Sequence, residues 1–538
     1  MPLRLMLTVL CLCAALPHPA HGRRGPSSTD AIFAPLGSET PGLSVLVARG
    51  GKVIFERSAG AADIEQHTAV TPRTRFHVAS VSKQFTAAAV LILAREGKLQ
   101  LDAPARRYLT SLPEAYAAVT IRQLLNHTGG LRDQWDLALA SGASISDLLR
   151  QDRLLALIQA QNSLNFAPGS EFRYSNSGYL IAAEIVARVS GMPFARFVQE
   201  RILVPLRMDD TLVYDDATIP IAHRAQSYSI DGHGRVRLSR LNFSNYGATS
   251  LFTTATDLYR WSRELLHPRL LDPSLSREME QTTRLRDGRV SPYGLGLNHL
   301  TVRGHEAVTH TGSDAGFRAL IAIYPREDAT IVILSNGSDD VSALHEALVD
   351  AFLNNRRGVN RISSPPASEL ARLTGYYVSG WGPGFELQVE ADKLVRRMSG
   401  ETPRNATFHA DGTIRFSGPS MRLKPAGSEQ LEDNPVIGPP LTYRRVERTT
   451  PTPALLAAAV GRYRSDELDI TISVTLDQGR LSMSSQRDPA PSPLTPVDDG
   501  AFDTGDARIR FEPGSRAGAA SLLMTMGRSR NLRFVRVP

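Results

Sequence analysis

The apolar positions change period along the chain. From Leu43 to Ala61 they alternate on either side of Gly50 and Gly51, which predicts a β-hairpin turning at the glycine pair. After Phe76, Val78 and Ala79 the period lengthens: Val81, Phe85, Ala88, Ala89, Ile92 and Leu93 follow at helical spacing and Gly97 closes the series. A helix therefore begins beside Ser80. Further helices are predicted at Ile121 to Leu125, Ser146 to Ala160, Gly178 to Ser190 and Ala255 to Leu266. Strand patterning returns at Val308 to Thr311, Phe317 to Tyr324 and Thr330 to Leu334, and a last helix covers Ser342 to Leu353. Strands at both ends with helices between them give an α+β domain, one antiparallel sheet flanked by a helical lobe.

Beyond Ser363, Ser364, Pro365 and Pro366 the texture becomes β-rich, and it repeats. Leu373, Gly375 and Tyr377 return as Val460, Gly461 and Tyr463; Ile414, Arg415 and Phe416 return as Ile509, Arg510 and Phe511; Leu441 to Val446 returns as Leu532 to Val537. These offsets predict two copies of a small all-β barrel or sandwich, meeting near Thr449 to Pro453. The resulting division is a leader over 1–22, the α+β domain over 23–360, and β-barrel-like domains over 367–448 and 453–538. A chain of 538 residues has room for three separate cores.

The first residues change the picture of where the protein works. Arg4, the apolar run Leu5 to Leu16, and the small residues Ala20 and Gly22 read as a secretory signal, with maturation near Arg23. The run is too short to span a bilayer, so the expectation is an exported, periplasmic or secreted protein with no membrane span. Both cysteines, Cys11 and Cys13, fall inside the signal. They follow Leu10 and Leu12 rather than the small residue a lipoprotein signal wants. The mature chain is thus expected to have no disulfide, no thiolate nucleophile and no cysteine metal site. A net charge of +7 with scattered basic residues argues against a nucleic-acid partner. Of the 61 basic residues only five are lysines. Arginine keeps its proton in proteins whereas a desolvated lysine releases it, so a lysine inside a candidate motif points to proton transfer.

Lys83 is such a lysine. Ser80-Val81-Ser82-Lys83 is an S-x-x-K pattern at a helix start, which puts both side chains on one face, a single turn apart. A serine hydroxyl needs a base, and lysine serves only when neutral. Lowering it from about 10.4 to 7 costs on the order of 4.6 kcal/mol. The helix macrodipole supplies at most about 1 kcal/mol at an ordinary site, so burial must do the rest. Serine and lysine fall three apart in many helices, and the pattern alone does not define a site. Tyr174-Ser175-Asn176 follows, in a Pro168- and Gly169-containing loop that enters a helix. Tyr174 could shuttle a proton and Asn176 position a substrate; the plain alternative is a core tyrosine and a helix cap. His310-Thr311-Gly312-Ser313 lies on a strand, where glycine admits a substrate backbone and the Ser313 amide could join that of Ser80 as an oxyanion hole.

The order S-x-x-K, Y-x-N, H-T-G, with the flanking phrases FHVASVSKQFTA and HTGSDAGF, resembles the class C β-lactamase, penicillin-binding-protein and esterase family over Leu43 to Asn355. The resemblance implies Ser80 as nucleophile, Lys83 and Tyr174 as proton-transfer partners, Asn176, His310, Gly312 and Ser313 as substrate-binding residues, and no cofactor. His310 departs from the family's β-lactamases, where lysine is usual; a neutral imidazole holds a substrate carboxylate less well. Histidine there resembles the D-aminopeptidases and several esterases of the family, and one catalytic domain followed by two β-barrels is similar in layout to the D-aminopeptidases. The implied activity is a serine hydrolase acting through an acyl-enzyme on small amide, peptide or ester substrates, including D-amino-acid peptides. An esterase or weak β-lactamase is the alternative within the family. A non-hydrolytic β-lactam or peptidoglycan sensor is the alternative outside catalysis, with peptidoglycan fragments as partners. His305-Glu306 with His310 mimics H-E-x-x-H, but the spacing is five and the texture is strand, so no metal site follows. No G-x-S-x-G elbow is present.

Overall fold

The computed structural model describes residues 28–144, 147–231, 233–269, 272–354, 365–398, 401–409, 411–416, 421–498, 500–514 and 519–538. The signal segment, with Cys11 and Cys13, lies outside the described residues, as do Ser363 and Ser364 of the break before the β-rich half.

The first half is built on a six-stranded antiparallel sheet. Its strands are β1 (Leu43–Arg49), β2 (Lys52–Ala59), β3 (Asn298–Val302), β4 (His305–Asp314), β5 (Phe317–Tyr324) and β6 (Ala329–Ser335), in the order β3-β4-β5-β6-β1-β2. The hairpin turns at Gly50 and Gly51, whose φ values of 58° and 75° suit glycine and few other residues. Strand β1 is central and apolar on both faces. Leu43, Val45 and Val47 pack towards a layer that includes Leu348 and Val349, while Leu46 and Ala48 face the main core with Phe85 and Trp261. A strand covered on both sides reads as a nearly continuous apolar run.

Four helices matter for the site: α1 (Lys83–Arg95), α2 (Asn176–Ser190), α3 (Ala255–Leu266) and α4 (Val341–Phe352). Every side chain of α1 from Lys83 to Leu93 is buried, so this helix is the axis of the lobe. Helix α2 begins two residues earlier than its apolar spacing indicates, at Asn176. The expected helix from Ser146 is shorter, Gln151–Gln159; residues 145 and 146 are outside the described set, and Leu149–Arg150 instead pairs as a short strand with Phe243–Ser244. Strand β4 runs ten residues, well past the Val308 to Thr311 expected from apolar content.

The second half is all β. Eight strands between Gly375 and Val446 close into a barrel, and nine between Gly461 and Val537 form a nearly closed sheet. In each copy a short helix precedes the first strand, and a tyrosine hydroxyl donates to the carbonyl four residues back: Tyr377 to Leu373 at 3.1 Å and Tyr463 to Ala459 at 2.8 Å. In each the last strand returns to pair with the first. The second copy stays open because its edge strands are Ser492–Pro493 and Thr495–Pro496. Proline has no N–H to continue a ladder. This sheet also docks on the helical lobe, where Arg132 Nη1 meets Glu467 Oε2 at 2.7 Å with side chains 2% and 9% exposed.

Candidate active site

The turn before α1 presents the serine. Ala79–Ser82 is a 3-10 turn that runs into α1, and Ala79 adopts φ 47°, a left-handed conformation that costs a non-glycine residue about 1–2 kcal/mol. Strain of this kind persists only where surrounding contacts fix the backbone. Here Val78 N donates to Leu251 O at 2.9 Å and Leu251 N to Ser82 Oγ at 3.0 Å. Ser80 is left half-buried at the floor of a cleft.

One turn on, Lys83 is sealed from solvent. Its Nζ donates to Ser80 Oγ at 3.0 Å, to Asn176 Oδ1 at 2.8 Å and to Ala248 O at 2.8 Å. Burial brings this ammonium down to about 7; Asp314 and Asp133 oppose the shift and Arg528 adds to it. The three acceptors hold the amine in place without a carboxylate in direct contact, which is how a lysine is kept near neutrality. Tyr174 neighbours both the serine and the lysine. Its ring centroid is 4.9 Å from Lys83 Nζ, and its phenol oxygen is buried beside the Ser80 hydroxyl. Burial raises the phenol above its ordinary range, so it carries its proton at neutral pH.

Asn176 is turned towards the lysine. Its Oδ1 accepts from Lys83, while its Nδ2 and backbone N donate to Asp133 Oδ2 at 2.9 and 2.7 Å. With these bonds the amide fixes Lys83. Asp133 carries no sequence signal beyond being a helix N-cap, which it also is. The Tyr174 loop is held by the turn at His127: Nδ1 of His127 accepts from Ser175 N at 3.1 Å, and its ring lies 4.1 Å from that of Tyr174.

Two residues of β4, Gly312 and His310, lie beside the nucleophile. A Cβ on Gly312 would fall 2.1 Å from Val78 O. The space left by the missing side chain is filled by the backbone before Ser80, so this glycine brings β4 against the nucleophile turn. His310 is fully buried, and desolvation, with the nearby Lys83 charge, brings it down to about 3. Its Nδ1 lies 2.7 Å from Thr311 O and must donate, leaving Nε2 to accept from Tyr293 at 2.9 Å. A neutral ring with both nitrogens engaged is a poor anchor for an anion. His305, the other half of the H-E-x-x-H mimic, is instead bonded to Glu327 and Asn354. Among the described residues no group of three or more histidine, cysteine or acidic side chains is placed to hold a metal.

Thr311 and Ser313 line the cleft with Ser80, Tyr174 and His310, enclosing a cavity of about 460 Å³. Phe172 and Arg173 of the lobe line it too, and its remaining walls come from the two β units. Trp381, Asp433, Tyr443 and the segment Pro435–Leu441 belong to the barrel, and Arg528 to the nine-stranded sheet. Trp381 is sandwiched by guanidiniums, with Arg173 Cζ 4.2 Å and Arg530 Cζ 3.4 Å from its ring centroid. Nothing local in the repeats marks these residues as site-facing.

A serine and a buried lysine one helical turn apart, beneath an antiparallel sheet edge, define a serine hydrolase of the S-x-x-K type. Residues 29–354 match the family described as Beta-lactamase, and the chain belongs to that family. A penicillin-binding protein of Bacillus subtilis is 30% identical over 382 residues, covering 66% of this chain and 84% of the relative. A D-aminopeptidase of Brucella ovis is 29% identical over 450 residues and 82% of each chain. Among solved structures, a penicillin binding protein from Bacillus halodurans aligns at TM-score 0.50 and 28% identity over 57% of this chain and 95% of its own. An octameric penicillin-binding protein homologue from Pyrococcus abyssi, 18% identical, shares the fold at TM-score 0.54 over 84% of this chain and 96% of its own.

Proposed function

We propose that the protein hydrolyses small amides or peptides, D-amino-acid derivatives among them, through an acyl-enzyme on Ser80. The observation that carries this is Lys83: fully enclosed, 3.0 Å from Ser80 Oγ and held near neutrality. Lys83 takes the Ser80 proton as Oγ attacks the carbonyl carbon and the C–O bond forms. The backbone amides of Ser80 and Ser313 receive the developing oxyanion. Tyr174, as a protonated phenol, passes a proton to the departing nitrogen as the C–N bond breaks and is resupplied through Lys83. Water, deprotonated by the same pair, then attacks the ester and frees Ser80. The D-stereochemistry is supported by the D-aminopeptidase similarity, which covers 82% of the chain and so reaches past the family domain, and by a D-amino acid amidase from Ochrobactrum anthropi of the same fold.

The N-terminal pattern around Arg4 and Leu5 to Leu16 supports export to the periplasm or beyond, where peptidoglycan fragments supply D-amino-acid peptides. Two measurements test the reading. Mass spectrometry after exposure to a fluorophosphonate should find one adduct on Ser80 and none in Ser80→Ala. D-aminoacyl amides, esters and penicillins should then be compared for turnover. Labelling of the Ser80→Ala protein at an unchanged rate sinks the nucleophile; a stable adduct without turnover of any substrate class makes the protein a sensor.

A further inference from the structure

The cleft holds a cation that arrives from far along the chain and that the acylation chemistry does not use. Arg528 sits in the turn between strands Ala519–Met526 and Ser529–Val537 and lines the same cavity as Ser80, Tyr174 and Ser313. Its backbone is pinned. Arg528 N donates to Asp136 Oδ2 at 2.6 Å, Ser529 Oγ donates to the same oxygen at 3.0 Å, and Asp133 N donates to Ser529 Oγ at 3.0 Å. The side chain is held far less tightly. Its Cζ lies 4.9 Å from the Tyr174 ring centroid. Among the described residues it reaches one acceptor, Asp133 Oδ2, at 3.4 Å, and it is 42% exposed. That oxygen already takes two shorter bonds from Asn176. A guanidinium offers five N–H donors in a planar fork, so most of this fork is unengaged on the cavity wall.

The other ionisable groups of the cavity are committed elsewhere. His310 is neutral, with both nitrogens bonded to protein. Arg173 donates to Gly527 O at 2.5 Å and stacks on Trp381. Asp433 accepts from Arg422 N at 2.8 Å and feels the charges of Arg396 and Arg422. We propose that Arg528 is the specificity-determining residue of the cleft, pairing through its guanidinium fork with a free carboxylate of the substrate near the scissile bond. The nine-stranded sheet thereby supplies the charge that position 310 lacks. Guanidinium–carboxylate pairs of this kind are bidentate and directional. The proposal rests on Ser80 being the nucleophile of this cavity.

Binding is measured on the full chain carrying Ser80→Ala, so that turnover does not intrude. N-acetyl-D-alanyl-D-alanine and its C-terminal amide are titrated by calorimetry into this protein and into versions that also carry Arg528→Gln or Arg528→Lys. The acid should bind about tenfold or more tighter than the amide. That preference should fall to near parity with glutamine and be kept in part by lysine, which retains the charge without the fork. Unfolding midpoints of all three proteins report folding, and the lysine version carries the test if the glutamine version does not fold. Equal affinities in the parent, including no binding of either probe, would overturn the proposal. So would a preference unchanged by both substitutions, or a loss equal for acid and amide, which marks a docking role alone. Fluorophosphonate labelling of the unsubstituted protein is read separately; its absence removes the nucleophile while leaving the acid–amide comparison intact.

Discussion

Four of the five lysines are exposed, and the fifth, Lys83, is enclosed against Ser80, Asn176 and Ala248. Its lowered pKa of about 7 has two separable consequences. Acylation needs the neutral amine, so the rate of fluorophosphonate labelling is expected to climb with pH through about 7 and then level off. Lys83→Arg, which stays charged, should be at least about 100-fold slower and show no such step. For stability the sign is also fixed. Between about 7 and 10.5 the unfolded chain holds the lysine proton and the folded one does not, so the protein should gain stability across that window. Denaturant unfolding at pH 7 and 9.5 should show the gain in the wild type and its absence in Lys83→Met. The pairing of Ser80 with Lys83 was legible in the sequence because a three-residue step in a helix is a local fact. The need for burial was legible too, from the size of the shift required. Which groups enclose the lysine was not, because Asn176 and Ala248 reach it from 93 and 165 residues away.

At the scale of elements, the site is a strand laid against a turn. Strand β4 approaches the 3-10 turn before α1 so closely that only a residue without a Cβ fits at 312, where Val78 O occupies the space. Gly312→Ala should push the strand away from the turn, lowering stability by about 1–3 kcal/mol. It should also slow Ser80 labelling at least tenfold, because the donor at Ser313 moves with the strand. Unfolding and labelling rates on the same preparation read both effects; a stable, fully reactive variant would mean that β4 does not set the oxyanion geometry. The sequence marked this glycine as a place of close approach and assigned the approach to a substrate backbone, whereas the Val78 carbonyl that fills the space comes from a distant part of the chain and leaves no local signal. The hairpin at Gly50 and Gly51 and helix α3 were legible for the complementary reason: their signals lie within a few residues. Strand β3 gave no clear alternation, being an edge strand whose middle residues are only partly covered.

At the scale of the molecule, three stretches of chain converge on one cavity, and the joint between lobe and C-terminal sheet is an apolar core shared by both, crossed by polar contacts. Asp136 receives the Arg528 and Ser529 donors, and burial together with the neighbouring Asp133 raises its carboxyl to about 7. Between about 4 and 7 the folded state holds a proton here that the unfolded state lacks, so this contribution is present at acidic pH and lost as pH rises through 7. Thermal unfolding of the wild type and of Asp136→Asn at pH 5 and 7.5 isolates the contribution from the buried histidines, which titrate in the opposite sense: the wild type should lose stability relative to the asparagine variant as the pH rises. The repeat pattern disclosed that two β units exist, because each copy follows the same order of apolar phrases. It did not disclose that Trp381 and Arg528 face Ser80, since a repeat's surface turns carry no record of what they touch. Trp381 gives the assembly an optical property. Of the three tryptophans, Trp261 is fully interior and bonded to Gln84, and Trp135 lies half-buried on the helix Gln134–Ala140. Trp381 alone lines the cleft, clamped between two cations that polarise its indole. Its emission therefore carries the state of the cleft, and occupancy can be followed as a change of colour in unlabelled protein.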